Sequence, residues 1–264
     1  MPDLKDDKRF ANTLARGLNV LRAFGPNDDG LGNLEISERT GLPRSTVSRL
    51  TFTLCALGYL THGHHHDKYR LGPAALALGN IAGASFGFVE TAGPIMQKLA
   101  DATKTLIGVA IQDDGKMLIV KTWRPRNSTT TWLNVGYRMP MLQSSSGAAF
   151  LGALGRSELE KLTQAMSPED QAQYAEFGGK AQSSLLSDGY AFVRGEQRFN
   201  ATINAIATPY RPSEFGEPVA FLSGARKADL ADEQITESVG PALVTAVQEL
   251  LHITGRRFPI MLED

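Results

Sequence analysis

Four of the chain's five histidines lie in one stretch, THGHHHDKYRLG, and three of them, His64, His65 and His66, are adjacent. Imidazole is a common metal ligand, so a metal site is the first chemistry to weigh. In an extended chain neighbouring side chains point to opposite faces. His64 and His66 can therefore share an ion, and His65 does not readily join them. Asp67 is the one nearby carboxylate, and no cysteine is close. An internal run of three is no affinity tag. A solvated turn, or a loop tip that meets nucleic acid, asks for no such geometry. A second group is the serine run of MLQSSSGAAFLG, just ahead of a helical pattern. A helix start offers free N–H groups and partial positive charge to a small anion, but serine is also a favoured cap. A third group, PRSTVSRLT, carries Arg44, Ser45, Thr46, Ser48, Arg49 and Thr51 with no acid among them. Guanidinium and hydroxyl groups suit phosphates and base edges. Nucleophilic catalysis lacks its parts. His252 is the only histidine outside the cluster, and G-x-S-x-G and phosphate-loop patterns are absent, so no enzyme is expected.

The bulk numbers fit this choice. A chain of 264 residues with 42% hydrophobic side chains can bury a core, and its length suits two domains or one large one. Its net charge of −1 excludes a blanket attraction to nucleic acid, so any such attraction must be local. No run of apolar residues is long enough to cross a membrane, and the polar stretch MPDLKDDKRF leads to the expectation of no secretory signal. The single cysteine, Cys55, excludes an internal disulfide framework. It reads as a packing residue of a cytoplasmic protein, with redox sensing as the lesser alternative.

Around the arginine-rich stretch the pattern is three helices and a hairpin. Phe10, Leu14, Leu18, Leu21 and Phe24 recur at helical spacing, and Gly25-Pro26 ends that helix. A short helix LEISERT ends at Gly41, and Pro43 opens a longer one whose apolar stripe is Val47, Leu50, Leu54 and Leu57. Gly58 caps it. GYLTH and KYRLG, joined by GHHHD, then form a hairpin. This is the outline of a winged helix-turn-helix, whose second helix can enter a DNA major groove. The histidines fall at the wing tip. His65 and Lys68 join the six residues of the helix as expected DNA contacts.

LARGLNVLRAF, ISERTGLPRSTVSRLTFTLCALGYL and YRLGPAALALG resemble the N-terminal domain of the IclR (isocitrate-lyase-regulator) family of bacterial transcription factors, over roughly residues 14–79. VGYRMPMLQSSSGAAFLGAL and AIATPYRPSEFGEPVAFLSGA resemble later segments of the same family. The resemblance implies an α+β protein: a winged helix-turn-helix domain at residues 1–72, a linker helix at 73–89 and a GAF-like effector-binding domain at 90–264. It also implies double-stranded operator DNA and a small organic effector as partners, a carboxylate or aromatic acid being favoured. Homodimers, or tetramers built from two dimers, are expected, with no cofactor and no metal. A metal-responsive regulator using the wing histidines is the alternative, and an enzyme carrying a DNA-binding domain is the remotest.

The second domain reads as strands and flanking helices. LIGVAIQDDGKMLIVKTW is a strand, a turn and a strand, and TTTWLNVG is expected as a third. DGYAFVRGE, TINAIATPY and EPVAFLSGA are further strands. SSSGAAFLGAL and SELEKLTQAM are helical, VETAGPIMQKLADAT is a helix with an expected kink at Pro94, and DEQITESVGPALVTAVQELLHIT closes the chain. Carried over from the resemblance, the effector site is Ser145 and Ser146 facing Ile203, Ala205 and Ser223. Ala148 and Ala225 depart from the family, which often has a basic residue and a second serine at those places. EQRFNATIN departs from it as well. Trp123, Arg124, Arg126, Trp132 and Tyr137 cluster in sequence, either as aromatic and cationic ligand groups or as ordinary surface residues.

Overall fold

The computed structural model describes residues 7–63, 67–126, 133–214 and 216–257. It divides into two compact units, one ending at Ser85 and one beginning at Phe86.

The first unit has α1 (Asn12–Arg22), α2 (Asn33–Thr40), α3 (Arg44–Ala56), β1 (Leu60–His62), β2 (Tyr69–Leu71) and α4 (Pro73–Ala84). Its core is small: Val20, Leu31, Ile36, Val47, Leu54 and Leu60. Gly41 turns the chain between α2 and α3 with φ +69°, a conformation that costs a side chain energy and glycine little. Around that turn Ser37 donates to the Leu42 carbonyl at 2.6 Å and Thr40 donates to Ile36 O at 2.7 Å. The end of α3 closes with Tyr59 N–H on Leu54 O and Gly58 N–H on Cys55 O, a paired C-terminal cap. The hairpin pairs Leu60 with Leu71 and His62 with Tyr69, and Leu31 bridges to Tyr69 from the other side.

The expected core stripe of α1 is only half used. Leu14 and Leu18 stand exposed, while Val20 fills the core with Leu21 and Phe24 packed beside it. A helix turns one arc to its own core, and the two leucines lie off that arc. Leu57, Leu76, Leu78 and Ile81 are exposed too, and α4 buries none of its residues. A groove of about 750 Å³ runs between these helices, walled by Leu14, Leu18, Leu50, Leu57 and Leu78.

The second unit is built on one antiparallel sheet of order β5-β4-β3-β8-β7-β6. The strands are β3 (Leu106–Asp113), β4 (Lys116–Trp123), β5 (Arg138–Pro140), β6 (Ala191–Phe192), β7 (Ile203–Tyr210) and β8 (Val219–Arg226). Alternation splits the side chains between two cores. Ile107, Val109, Ile206 and Phe221 meet α5 (Gly87–Thr103) and α10 (Gly240–Ile253). Leu106, Ala110, Ala207 and Leu222 meet α6 (Ser145–Gly152) and α8 (Pro168–Asp188). A short helix α7 (Arg156–Thr163) follows α6. The closing helix begins as α9 (Asp232–Gln234) and a π-turn at Ile235–Val239, which lead into α10.

Two readings change. The described part of TTTWLNVG, residues 133–136, holds no strand. Residues 127–132 are outside the described residues, 133–137 form a turn, and β5 begins at Arg138. In that turn Tyr137 N–H meets Asn134 O and Gly136 N–H meets Ile119 O. Helix α5 carries Pro94 inside its span. Helix α8 was not foreseen, because its polar sequence buries only Gly178, Ala181 and Leu185.

Candidate nucleic-acid interface and effector cavity

Helix α3 turns Val47, Thr51 and Leu54 inward. At about 100° per residue, the opposite arc holds Ser45, Ser48, Arg49, Phe52 and Ala56, all exposed, with Arg44 exposed at its start. Thr46 is half-buried. The hydroxyls of Ser45 and Ser48 have no hydrogen-bond partner among the described residues. Thr51 is corrected: it is fully buried, and its hydroxyl meets Asn33 Oδ1 at 3.3 Å and donates to Val47 O at 3.0 Å. It ties α3 to α2 and does not face outward.

The arginines of this unit sort by partner. Arg9 pairs with Asp7, Arg39 with Asp28 at 2.6 Å, and Arg70 with Asp29. Arg16, Arg44 and Arg49 form no ion pair among the described residues. Arg16 and Arg49 share one groove with Thr13, Thr46, Ser48, Leu50, Phe52 and Thr53. Arg16 was not among the expected contacts. It is exposed, one turn from Thr13 and one turn before the buried Val20 of α1. Lys68 is half-buried, and its main-chain oxygen accepts from Gly63 N–H at 2.8 Å. His64, His65 and His66 lie outside the described residues. Burial raises the Cys55 thiol above its ordinary value, the direction that disfavours a reactive thiolate.

The serine run in the second unit is engaged internally. Ser144 caps α6, accepting from Gly147 N–H at 3.1 Å and donating to Pro140 O at 2.7 Å. Ser145 Oγ donates to Ala205 O at 2.6 Å and accepts from Val193 N–H at 3.1 Å, bolting α6 to β7 and to the end of β6. Ser146 is buried beside Ser144 Oγ at 3.2 Å and Met139 Sδ at 3.9 Å. The helix fits so closely that a Cβ on Gly147 would lie 1.9 Å from Met141 O.

The strands divide the remaining expected effector residues. Ala205 pairs with Gly224, which also pairs with Leu106 of the α6 face. Ser223 pairs with Ile107 and Ile206, which belong to the opposite core. Its hydroxyl is buried at 2.7 Å from Thr105 Oγ1. Ser223 is therefore not brought together with Ser145 and Ala205. The alternation of β8 carried this information, since Ser223 lies an odd number of residues from Leu222.

Ile203 lines a cavity of about 160 Å³ with Leu133, Tyr137, Phe199, Asn200, Thr202 and Arg226. Two rings, an aliphatic wall and a guanidinium surround one small space. Arg226 also reaches Asp229 at 3.1 Å. The cluster expected from sequence disperses. Trp123 is stacked on Phe221 in the α5 face. Arg124 is held by Leu133 O and Asn134 Oδ1, and Arg126 meets Asp101. Tyr137 alone of the described members reaches the cavity, and Trp132 lies outside the described residues.

Two family models match the chain. One, described as the IclR helix-turn-helix domain, covers residues 13–63, and the other, the C-terminal domain of bacterial transcriptional regulator IclR, covers residues 84–250. The Pca regulon regulatory protein of Pseudomonas putida is 26% identical over 93% of this chain and 85% of its own. The crystal structure of an IclR family transcriptional regulator from Brucella abortus matches with a TM-score of 0.73 and 31% identity, over 95% of both chains. That of an IclR homolog from Microbacterium hydrocarbonoxydans, complexed with 4-hydroxybenzoate, matches with a TM-score of 0.64 and 20% identity, over 90% of this chain and 99% of that one. Among the described residues no helix is long and apolar enough to cross a membrane.

Proposed function

The chain belongs to the IclR family of transcriptional regulators, and on that premise we propose that it binds a promoter operator as a dimer under control of a small aromatic or carboxylic acid. The observation that carries the DNA reading is the sorting of arginines. Carboxylates occupy Arg9, Arg39 and Arg70, whereas Arg49 stands exposed on the outward arc of α3 and Arg44 stands exposed at its start. Phosphates and guanine edges are their natural partners. Ser45, Ser48 and the exposed edge of Thr46 add hydrogen bonds on the same arc, and Arg16 adds a phosphate contact from α1. Lys68 and His65 are the contacts expected with the flanking backbone.

One recognition helix reads few base pairs, so two are needed. The apolar face of α1 and α4, with Leu14, Leu18, Leu76 and Ile81 exposed, supports a second copy of the chain as its cover, because isolated domains rarely leave so many large apolar side chains in water together. Dimers of such dimers give a tetramer. The protein works in the cytoplasm, as a regulator rather than an enzyme.

For the effector, the cavity between Ile203, Tyr137, Phe199 and Arg226 supports a ring-bearing acid, with the guanidinium matched to the carboxylate. Ser145 acts by holding α6 in place against β7, with Ala205 as the carbonyl to which it is tied, and Ser146 packs beside Met139 of β5. A ligand moves the DNA-binding equilibrium only by preferring one of two states.

Selection of duplexes from a random pool, followed by affinity measurement, tests the reading. Arg49→Ala should lose about 1–3 kcal/mol of specific binding. Melting curves with benzoate and 4-hydroxybenzoate should rise for the wild type and stay flat for Ile203→Trp, which fills the cavity. Unchanged operator affinity in both Arg44→Ala and Arg49→Ala removes α3 from the DNA interface.

A further inference from the structure

Phe52 is 77% exposed, the most open of the large apolar side chains among the described residues. It sits on the outward arc of α3, one turn beyond Ser48 and Arg49. No ring stacks on it among the described residues. It does not wall the apolar groove of α1 and α4, although its neighbour Thr53 does. It lies instead in the adjoining groove with Arg16, Thr46, Ser48, Arg49 and Leu50. A phenyl ring held in water among cations needs a partner that is charged at its edges and apolar at one point. A protein surface docking here would strip water from two guanidinium groups that form no ion pair among the described residues. Duplex DNA gives those groups phosphates, and in the major groove the thymine 5-methyl is the one apolar group that a base pair presents.

We infer that Phe52 reads the 5-methyl group of a thymine in each operator half-site, while Arg16 and Arg49 hold the flanking backbone and neighbouring base. This rests on the DNA-binding reading above and adds a base-specific contact to it. Phe52 faces away from the core, so its replacement leaves the fold intact. The contact is apolar and so confers a preference that salt does not screen, unlike phosphate contacts.

The test uses the full-length chain and duplexes selected from a random pool. Wild type should select a thymine at one position of each half-site, and Phe52→Ala should lose that position alone. Replacing that thymine by deoxyuridine removes only the methyl group. Wild-type affinity should then fall about three- to fivefold, the scale of one buried methyl, and Phe52→Ala should bind both duplexes equally. Phe52→Gln, which keeps a long side chain there, should also be blind to the methyl group. If wild type selects an operator that depends on Arg44 and Arg49, yet deoxyuridine is neutral at every thymine, the inference about Phe52 falls and the DNA reading stands. The same follows if Phe52→Ala keeps its base preference and instead changes the oligomeric state. A wild type that selects no sequence overturns both.

Discussion

Two helices of this protein open with hydroxyl-bearing residues, and they use them in opposite ways. In α3 Ser45 and Ser48 are exposed and have no partner among the described residues. In α6 Ser144, Ser145 and Ser146 are all buried, and each meets a protein atom. Both starts look alike as sequence. Solvent exposure separates a surface that waits for a ligand from a joint that completes the fold. A buried hydroxyl must be satisfied within the chain, so it is spent on structure. An exposed one exchanges water for DNA at little cost.

Two glycines beside these helices break the comparison most severely. Gly147 is needed for space, because its Cβ would lie 1.9 Å from the Met141 carbonyl. Gly41 is needed for its φ of +69°, and a Cβ there would meet nothing within 4 Å. Gly147→Ala should cost about 3 kcal/mol, at the upper end of overpacking, and Gly41→Ala about 1–2 kcal/mol from backbone conformation alone. Melting curves of the two variants should keep this order. Equal losses would mean that α6 shifts freely on the sheet, and the close fit of its serines would lose its meaning.

Smaller effects separate the serines. Ser145→Ala leaves the buried Val193 N–H and the Ala205 carbonyl without their hydroxyl. An unsatisfied buried donor costs about 1–3 kcal/mol, so the melting temperature should fall while operator affinity, measured well below it, holds. Ser48→Ala should do the reverse, with unchanged melting and a loss of about 0.5–1.5 kcal/mol in operator binding. A Ser145→Ala protein that melts like wild type but no longer answers to the acids would make that hydroxyl a ligand group.

What was legible in the sequence follows the same division. The winged helix-turn-helix was readable because it is built from local signals: Gly41, Pro43 and the Val47-Leu50-Leu54 stripe. The outward arc of α3 was readable in outline, but Thr51 was misplaced. Threonine is compatible with either side of a helix, and only the neighbouring Asn33 from α2 shows which side it takes. In the second unit the strands were recognisable by composition, yet the cavity was not. Its walls come from residues 133–137, 199–203 and 226, which only the strand order brings together. Helix α8 was hidden because glycine and alanine at its crossing with α6 leave no apolar periodicity. A Cβ on Gly152 would meet Gln182 N at 2.8 Å, so small residues are what this contact requires.

The smallest expected effect concerns acid. Each unit carries arginine–carboxylate ties between distant segments, among them Arg39–Asp28 in the first and Arg211–Glu158 in the second. Asp28 is held below its ordinary value chiefly by the hydrogen bonds from Arg39, against some desolvation, with Gly25 N–H assisting. Desolvation pushes Glu158 up, but hydrogen bonds from Arg211 and Gly155 N–H outweigh it and the net direction is down. A carboxyl whose folded value is lowered favours the ionised form in the folded state. Its contribution is complete above the unfolded value, about 4 for such groups, and is lost as pH falls through the lowered folded value. Both ties are partly solvated, with Arg39 at 43% and Glu158 at 35% side-chain exposure, so each contributes about 0–1 kcal/mol. Asp28→Asn and Glu158→Gln should each melt slightly below wild type at pH 7. That deficit should shrink as the pH is lowered from 5 towards 3, because wild type loses the same ionic tie. A deficit that stays constant across this range would assign it to shape and hydrogen bonding rather than to charge.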